Sequence, residues 1–158
     1  MGLVEKNTRN VDNKYWLPGE DLFPVKSRYT AGIAGQKFCE GLKSEGKIYG
    51  VKCKECGITY VPPKAYCEQC FEELSEWIDV GTEGTLYSYT VAYREKDDSK
   101  KSHPTVIAAI KIADGLLIHW LGESKPQDLE FGMKVAAEFK PQQERVGGLL
   151  DIAYFKPV

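Results

Sequence analysis

"CKECGITYVPPKAYCEQC", Cys53 to Cys70, carries two CxxC pairs with ten residues between them and uses four of the five cysteines in a chain of 158 residues. Gly57, Pro62 and Pro63 lie between the pairs and leave no room for a useful helix, so the stretch reads as two turns joined by short strands. In a CxxC turn the backbone curls round a metal so that both sulfurs reach about 2.3 Å from zinc, and two such turns supply the four corners of a tetrahedron. Cys53, Cys56, Cys67 and Cys70 are therefore the candidate metal ligands. A glycine after the second Cys eases such a turn. Gly57 provides it in the first, whereas Phe71 stands there in the second and makes that turn less ideal.

Three other uses of four thiols compete. Two disulfides would staple little chain entropy between adjacent residues, and a reducing compartment opposes them. A redox CxxC sits at a helix N-terminus after a strand, a context neither pair has. Iron accepts the same sulfurs, so spacing alone leaves a rubredoxin-like electron carrier open beside zinc. With all four corners filled by protein no coordination position is left for water or substrate, so the metal is structural. The tetrad speaks for a fold and not for a reaction.

Outward from the tetrad the chain divides into an N-terminal arm and helical segment, 1–46, a ribbon, 47–76, and a β-rich part, 77–158. Met1 to Leu17 is polar up to Tyr15 and Trp16 and reads as an arm. Ser27 is placed to cap a helix from Arg28 to Ser44, closed by Gly46, with Ala31, Ala34, Phe38 and Leu42 as its apolar stripe. Gly32, Gly35 and Gly41 each cost such a helix about 1 kcal/mol relative to Ala, so something else must pack on it. After Gly84 the texture changes to alternation, and "GTLYSYTVAY" puts Tyr87, Tyr89, Val91 and Tyr93 on one face, read here as the core face. Further strands are expected over Thr105 to Ala113, Leu116 to Leu121, Lys134 to Phe139 and Asp151 to Phe155. Five strands without a long helix among them suit a five-stranded OB-fold barrel, with a β-sandwich as the rival.

Composition restricts the partners. The formal charge of −2, from 21 Lys and Arg against 23 Asp and Glu, supplies no global attraction for phosphate polymers or anionic lipid. The longest apolar runs, such as Leu116 to Leu121, fall far short of a membrane span, and no apolar signal core follows Glu5, Lys6, Asn7 and Arg9, so the chain is expected in the cytoplasm. Catalysis finds no candidate. Cys39 with His103 or His119 is a conceivable pair, but a lone helix Cys is ordinarily a small packed residue, His119 fits a satisfied barrel position and His103 an exposed loop. "REKDDSKKSH", Arg94 to His103, reads as a solvated loop whose Lys100 and Lys101 are placed to meet a phosphate.

The order of these parts resembles the family of small proteins with a rubredoxin-like zinc ribbon and an OB-fold that is associated with acyl-CoA metabolism. The resemblance covers the chain after about Asp21. It rests on the tetrad with Pro62 and Pro63 between its halves, on Trp77 with Gly84 and Leu86 to Thr90, and on "FGMKVAAEF", Phe131 to Phe139. It implies a non-catalytic scaffold that binds acyl-CoA and docks onto a thiolase or thiolase-like enzyme, including assemblies in which a thiolase and a hydroxymethylglutaryl-CoA synthase are held together. Related modules support steroid side-chain retro-aldolases and hydratases. Coenzyme A (CoA) requires cations for its phosphates and an apolar slot, and Tyr29, Lys37, Phe38 and Tyr49 are the candidate residues, with ordinary helix surface and packing as their competing reading. A single-stranded nucleic-acid module is the alternative function, since ribbons and OB-folds both meet nucleic acid. The dispersed, slightly acidic charge counts against it.

Overall fold

The computed structural model of the chain describes residues 30–95 and 97–158, together with the backbone of two short strands, β1 (Val4–Glu5) and β2 (Tyr15–Trp16), which pair antiparallel. The rest of the expected arm and the expected cap Ser27 lie outside the described residues. Helix α1 (Gly32–Glu40) runs straight into one π-helical turn, Gly41–Glu45, and stops at Gly46, the end expected from sequence. Phe38 and Leu42, four residues apart, fall on one face and are buried in the same core cluster as the barrel. The support that this glycine-rich helix needs is thus supplied by its own chain.

Three antiparallel strands form the ribbon sheet: β3 (Tyr49–Lys52) lies between β4 (Thr59–Tyr60) and β5 (Glu76–Asp79). A small core of Val51, Cys53, Tyr60, Cys67 and Leu74 is wrapped inside it, with Trp77 against its edge. Because β5 spans residues 76–79, the last strand of the ribbon straddles the expected boundary at 76/77.

The other five strands are β6 (Glu83–Arg94), β7 (Lys100–Ile112), β8 (Gly115–Leu121), β9 (Lys134–Phe139) and β10 (Ile152–Pro157). They close in the order β6-β7-β8-β10-β9, with every neighbour antiparallel except β8 and β10, which join in parallel at Leu121 and Phe155. The fold is therefore mainly β with an N-terminal helix, a rubredoxin-like ribbon followed by a five-stranded OB-fold barrel. Closure removes the β-sandwich alternative.

Inward side chains alternate along β8, where Leu117, His119 and Leu121 are buried while Leu116, Ile118 and Trp120 face out. The tyrosine face of β6 is corrected in part, since Tyr89 and Val91 pack on the core as expected and Tyr87 and Tyr93 do not. Leu86, not Tyr87, is fully buried, and Tyr87 and Tyr93 are 62% and 58% exposed. The pairing with β7 slips between Leu86 and Ser88, and a bulge of this kind reverses the side-chain phase, so that Leu86 and then Tyr89 and Val91 turn to the core.

Ribbon and barrel meet at the β7–β8 hairpin. Asp114 accepts the Thr59 backbone N–H at 2.9 Å, and Val61 joins the main core. A Cβ on Gly115 would stand 2.0 Å from the Val61 carbonyl oxygen, so only glycine permits this backbone contact.

Candidate metal centre and the hollow beside it

The two CxxC turns are built alike. In the first, Gly57 N–H donates to Cys53 O at 2.9 Å and Cys53 N–H to Ile58 O at 2.9 Å; in the second, Phe71 N–H donates to Cys67 O at 3.0 Å and Cys67 N–H to Glu72 O at 2.9 Å. Gly57 has φ +76° and Phe71 has φ +60°. The second turn thus keeps the geometry of the first although its residue is not glycine, at a cost of roughly 1–2 kcal/mol for an L side chain in the left-handed region. This answers the expectation of a less ideal knuckle: the strain is local to Phe71 and the shape is unchanged.

All four cysteine sulfurs lie within 4.8 Å of one another. A thiolate tetrahedron with metal–sulfur bonds of about 2.3 Å has edges of about 3.8 Å, and Cys56 Sγ stands 3.7 Å from Cys67 Sγ. The donor set fits a four-coordinate structural zinc. Tyr60 donates its hydroxyl to Cys67 Sγ at 3.3 Å and the Cys70 backbone N–H donates to the same sulfur at 3.4 Å. These donors favour the thiolate, and the Cys67 thiol is lowered to about 6, the Tyr60 bond being the main cause. The Tyr60 hydroxyl is pushed up to about 12 by the same bond. Cys70, its hydrogen bond with Cys56 being the main cause, is pushed up to about 12. Tyr60 is a functional neighbour that sequence reasoning missed; a hydroxyl-bearing aromatic in the strand between the pairs was the available signal.

Beside the ribbon, α1, the π-helical turn, β3 and β5 enclose a hollow of about 440 Å³ lined by Ile33, Lys37, Glu40, Glu45, Tyr49 and Trp77, among others. Lys37 Nζ sits 4.4 Å from the centroid of the Trp77 ring, a cation–π distance. Tyr49 donates its hydroxyl to Glu45 at 2.8 Å, which raises the phenol's pKa. Of the four candidate ligand residues, Lys37 and Tyr49 are brought together here. Phe38 is elsewhere, 6% exposed and packed in the core, and Tyr29 lies outside the described residues.

The other residues singled out in sequence are distributed as follows. Cys39 is half-buried on α1, and burial, with Asp151 second, pushes its thiol up to about 11, far from a nucleophilic thiolate. His103 is exposed, on β7 rather than in a loop. Lys101 is engaged by Glu95 at 2.9 Å. Among the described residues no helix is long and apolar enough to cross a membrane.

Comparison with known proteins agrees with this architecture. Residues 42–75 match the family described as the ChsH2 rubredoxin-like zinc ribbon domain and residues 77–140 that of the ChsH2 C-terminal OB-fold domain. A "DUF35 domain-containing scaffold protein" of Methanocaldococcus jannaschii is 32% identical over 74% of this chain and 86% of that protein. A protein of the same description from Methanothermobacter thermautotrophicus is 27% identical over 70% of this chain and 86% of its own length. Among solved structures, a DUF35-family protein of unknown function from Sulfolobus solfataricus has a TM-score of 0.61 at 27% identity, covering 80% of this chain and 87% of that one. One described as an Ltp2-ChsH2(DUF35) aldolase has a TM-score of 0.59 at 22% identity over 77% and 91%, a likeness of fold.

Proposed function

The chain belongs to the DUF35 family of scaffold proteins, and from that premise we propose that it is a non-catalytic accessory subunit of the cytoplasm that binds acyl-CoA and docks onto a thiolase-type enzyme, with a hydroxymethylglutaryl-CoA synthase as a second partner. The observation that carries the reading is the 32% identity to a scaffold protein across 86% of that relative. The chemistry of the site supports it. Zinc held by Cys53, Cys56, Cys67 and Cys70 supplies cross-linking and no open coordination position, so it braces the ribbon without activating water. Cys39, the remaining thiol, is held protonated by burial.

The hollow beside the ribbon is the place for the ligand. Its Trp77 face is covered by Lys37, a cation on a flexible stem. When CoA binds, the adenine stacks on Trp77 in place of the ammonium, and Lys37 turns outward to a phosphate. Glu40 and Glu45 in the lining oppose a pyrophosphate inside the hollow, so the phosphates stay at its rim. Titration with CoA, followed by tryptophan fluorescence, tests the ligand half of the reading. A saturable change that disappears in Trp77→Phe and weakens at least about tenfold in Lys37→Glu is expected. A flat titration of the wild-type chain contradicts CoA binding.

A further inference from the structure

The second knuckle displays a phenyl ring that the chain itself does not use. Phe71 adopts φ +60° and is 82% exposed, whereas Gly57 makes the same turn in the first knuckle at φ +76°. The turn demands only a left-handed backbone, which glycine adopts without strain. The ring therefore adds strain and, at that exposure, gains almost no packing in return. Strain retained where the fold does not require it points outward, to a contact. Tyr66, 61% exposed, stands on the same hairpin, which is pinned by the Tyr66–Glu73 bridge and the Cys67–Glu72 hydrogen bond.

Charge decides what that contact is. Glu68, Glu72 and Glu73, on the same hairpin as Phe71, are all exposed, and Lys64 is paired with Glu68. A divalent zinc held by the four thiolates would add two net negative charges. A second copy of this knuckle, or a nucleic acid, would bring like charge against like. An apolar anchor inside an acidic rim fits an apolar socket inside a basic one, the usual arrangement of an aromatic hot spot.

We propose that Phe71 is the docking anchor of this scaffold, inserting into an apolar socket rimmed by Arg and Lys on the enzyme it serves. The proposal rests on the scaffold reading, and the experiment separates the two. The immobilised wild-type chain is passed over extract of its source cells, the retained enzyme is identified by mass spectrometry and purified, and its Kd is measured for wild type, Phe71→Gly, Phe71→Leu and Glu72→Lys. Phe71→Gly is expected to bind at least about tenfold more weakly while its Tm rises by about 2–4 °C and its zinc content stays unchanged. Phe71→Leu is expected to recover part of the affinity, and Glu72→Lys to weaken it and flatten its salt dependence. Phe71→Gly binding within twofold of wild type overturns the anchor and leaves the scaffold standing. A wild-type chain that retains no acyl-CoA enzyme overturns both.

Discussion

His119 points into the barrel from the middle of β8, 5% exposed, and its Nε2 lies 3.1 Å from the Leu149 carbonyl oxygen. In the neutral ring Nε2–H donates to that carbonyl, and Nδ1 has no hydrogen-bond partner among the described residues. Burial disfavours the imidazolium and holds the folded pKa below the ordinary histidine value of about 6.5. The unfolded chain therefore takes up a proton before the folded one does. The stabilisation is fully present above about pH 6.5 and is lost as the pH falls from there through the folded pKa. Thermal melts at pH 7 and pH 5 should show a lower Tm at pH 5 for the wild type and a smaller drop for His119→Phe; equal drops would contradict the buried neutral ring. At this scale the sequence was unevenly legible. That four cysteines gather could be read from spacing, because a CxxC turn restricts where its two sulfurs point. The tyrosines of β6 were legible only in part: Tyr89 and Val91 pack on the core as their alternation says, whereas register shifts between Leu86 and Ser88 and between Ala92 and Arg94, which leave no mark in the alternation itself, accompany the exposed Tyr87 and Tyr93.

The ribbon is the element whose order depends on something other than a large core. Its own buried set is Val51, Cys53, Tyr60, Cys67 and Leu74, two of them ligand positions, so metal binding and folding are one event there. Cys67→Ser should release zinc, counted by inductively coupled plasma mass spectrometry, and destabilise by about 4 kcal/mol or more, whereas Cys39→Ser should leave the metal in place. Full zinc retention in Cys67→Ser would contradict the cage. Strand existence and the end of α1 at Gly46 were legible from alternation and from glycine. The π-helical turn was not; it begins at Gly41, where a Cβ would lie 2.4 Å from the ring of Tyr49, a contact that leaves no sign in the helical pattern. Nor was the use made of Phe38 and Leu42. Their stripe looks the same whether it faces a partner or the chain's own barrel, and here the barrel takes it. That stripe is thus not free for a partner, whereas the second knuckle is exposed.

Across the whole molecule, a closed barrel takes the Phe38 and Leu42 face of the helix and abuts the ribbon at Gly115 and Asp114, and Val61 of the ribbon joins the same core. The OB-fold was legible because five alternating segments separated by turn residues have few ways to close. The seat of the ribbon on the barrel was not, since it depends on contacts between segments far apart in sequence: Val61 against Gly115 and in the main core, and Thr59 on Asp114. Native mass spectrometry of the untagged chain isolated from its source cells separates an accessory subunit from a free-standing enzyme. The expected species is an assembly in which this chain, carrying one zinc, is bound to a thiolase-type enzyme. A lone polypeptide that converts an acyl thioester by itself would contradict it.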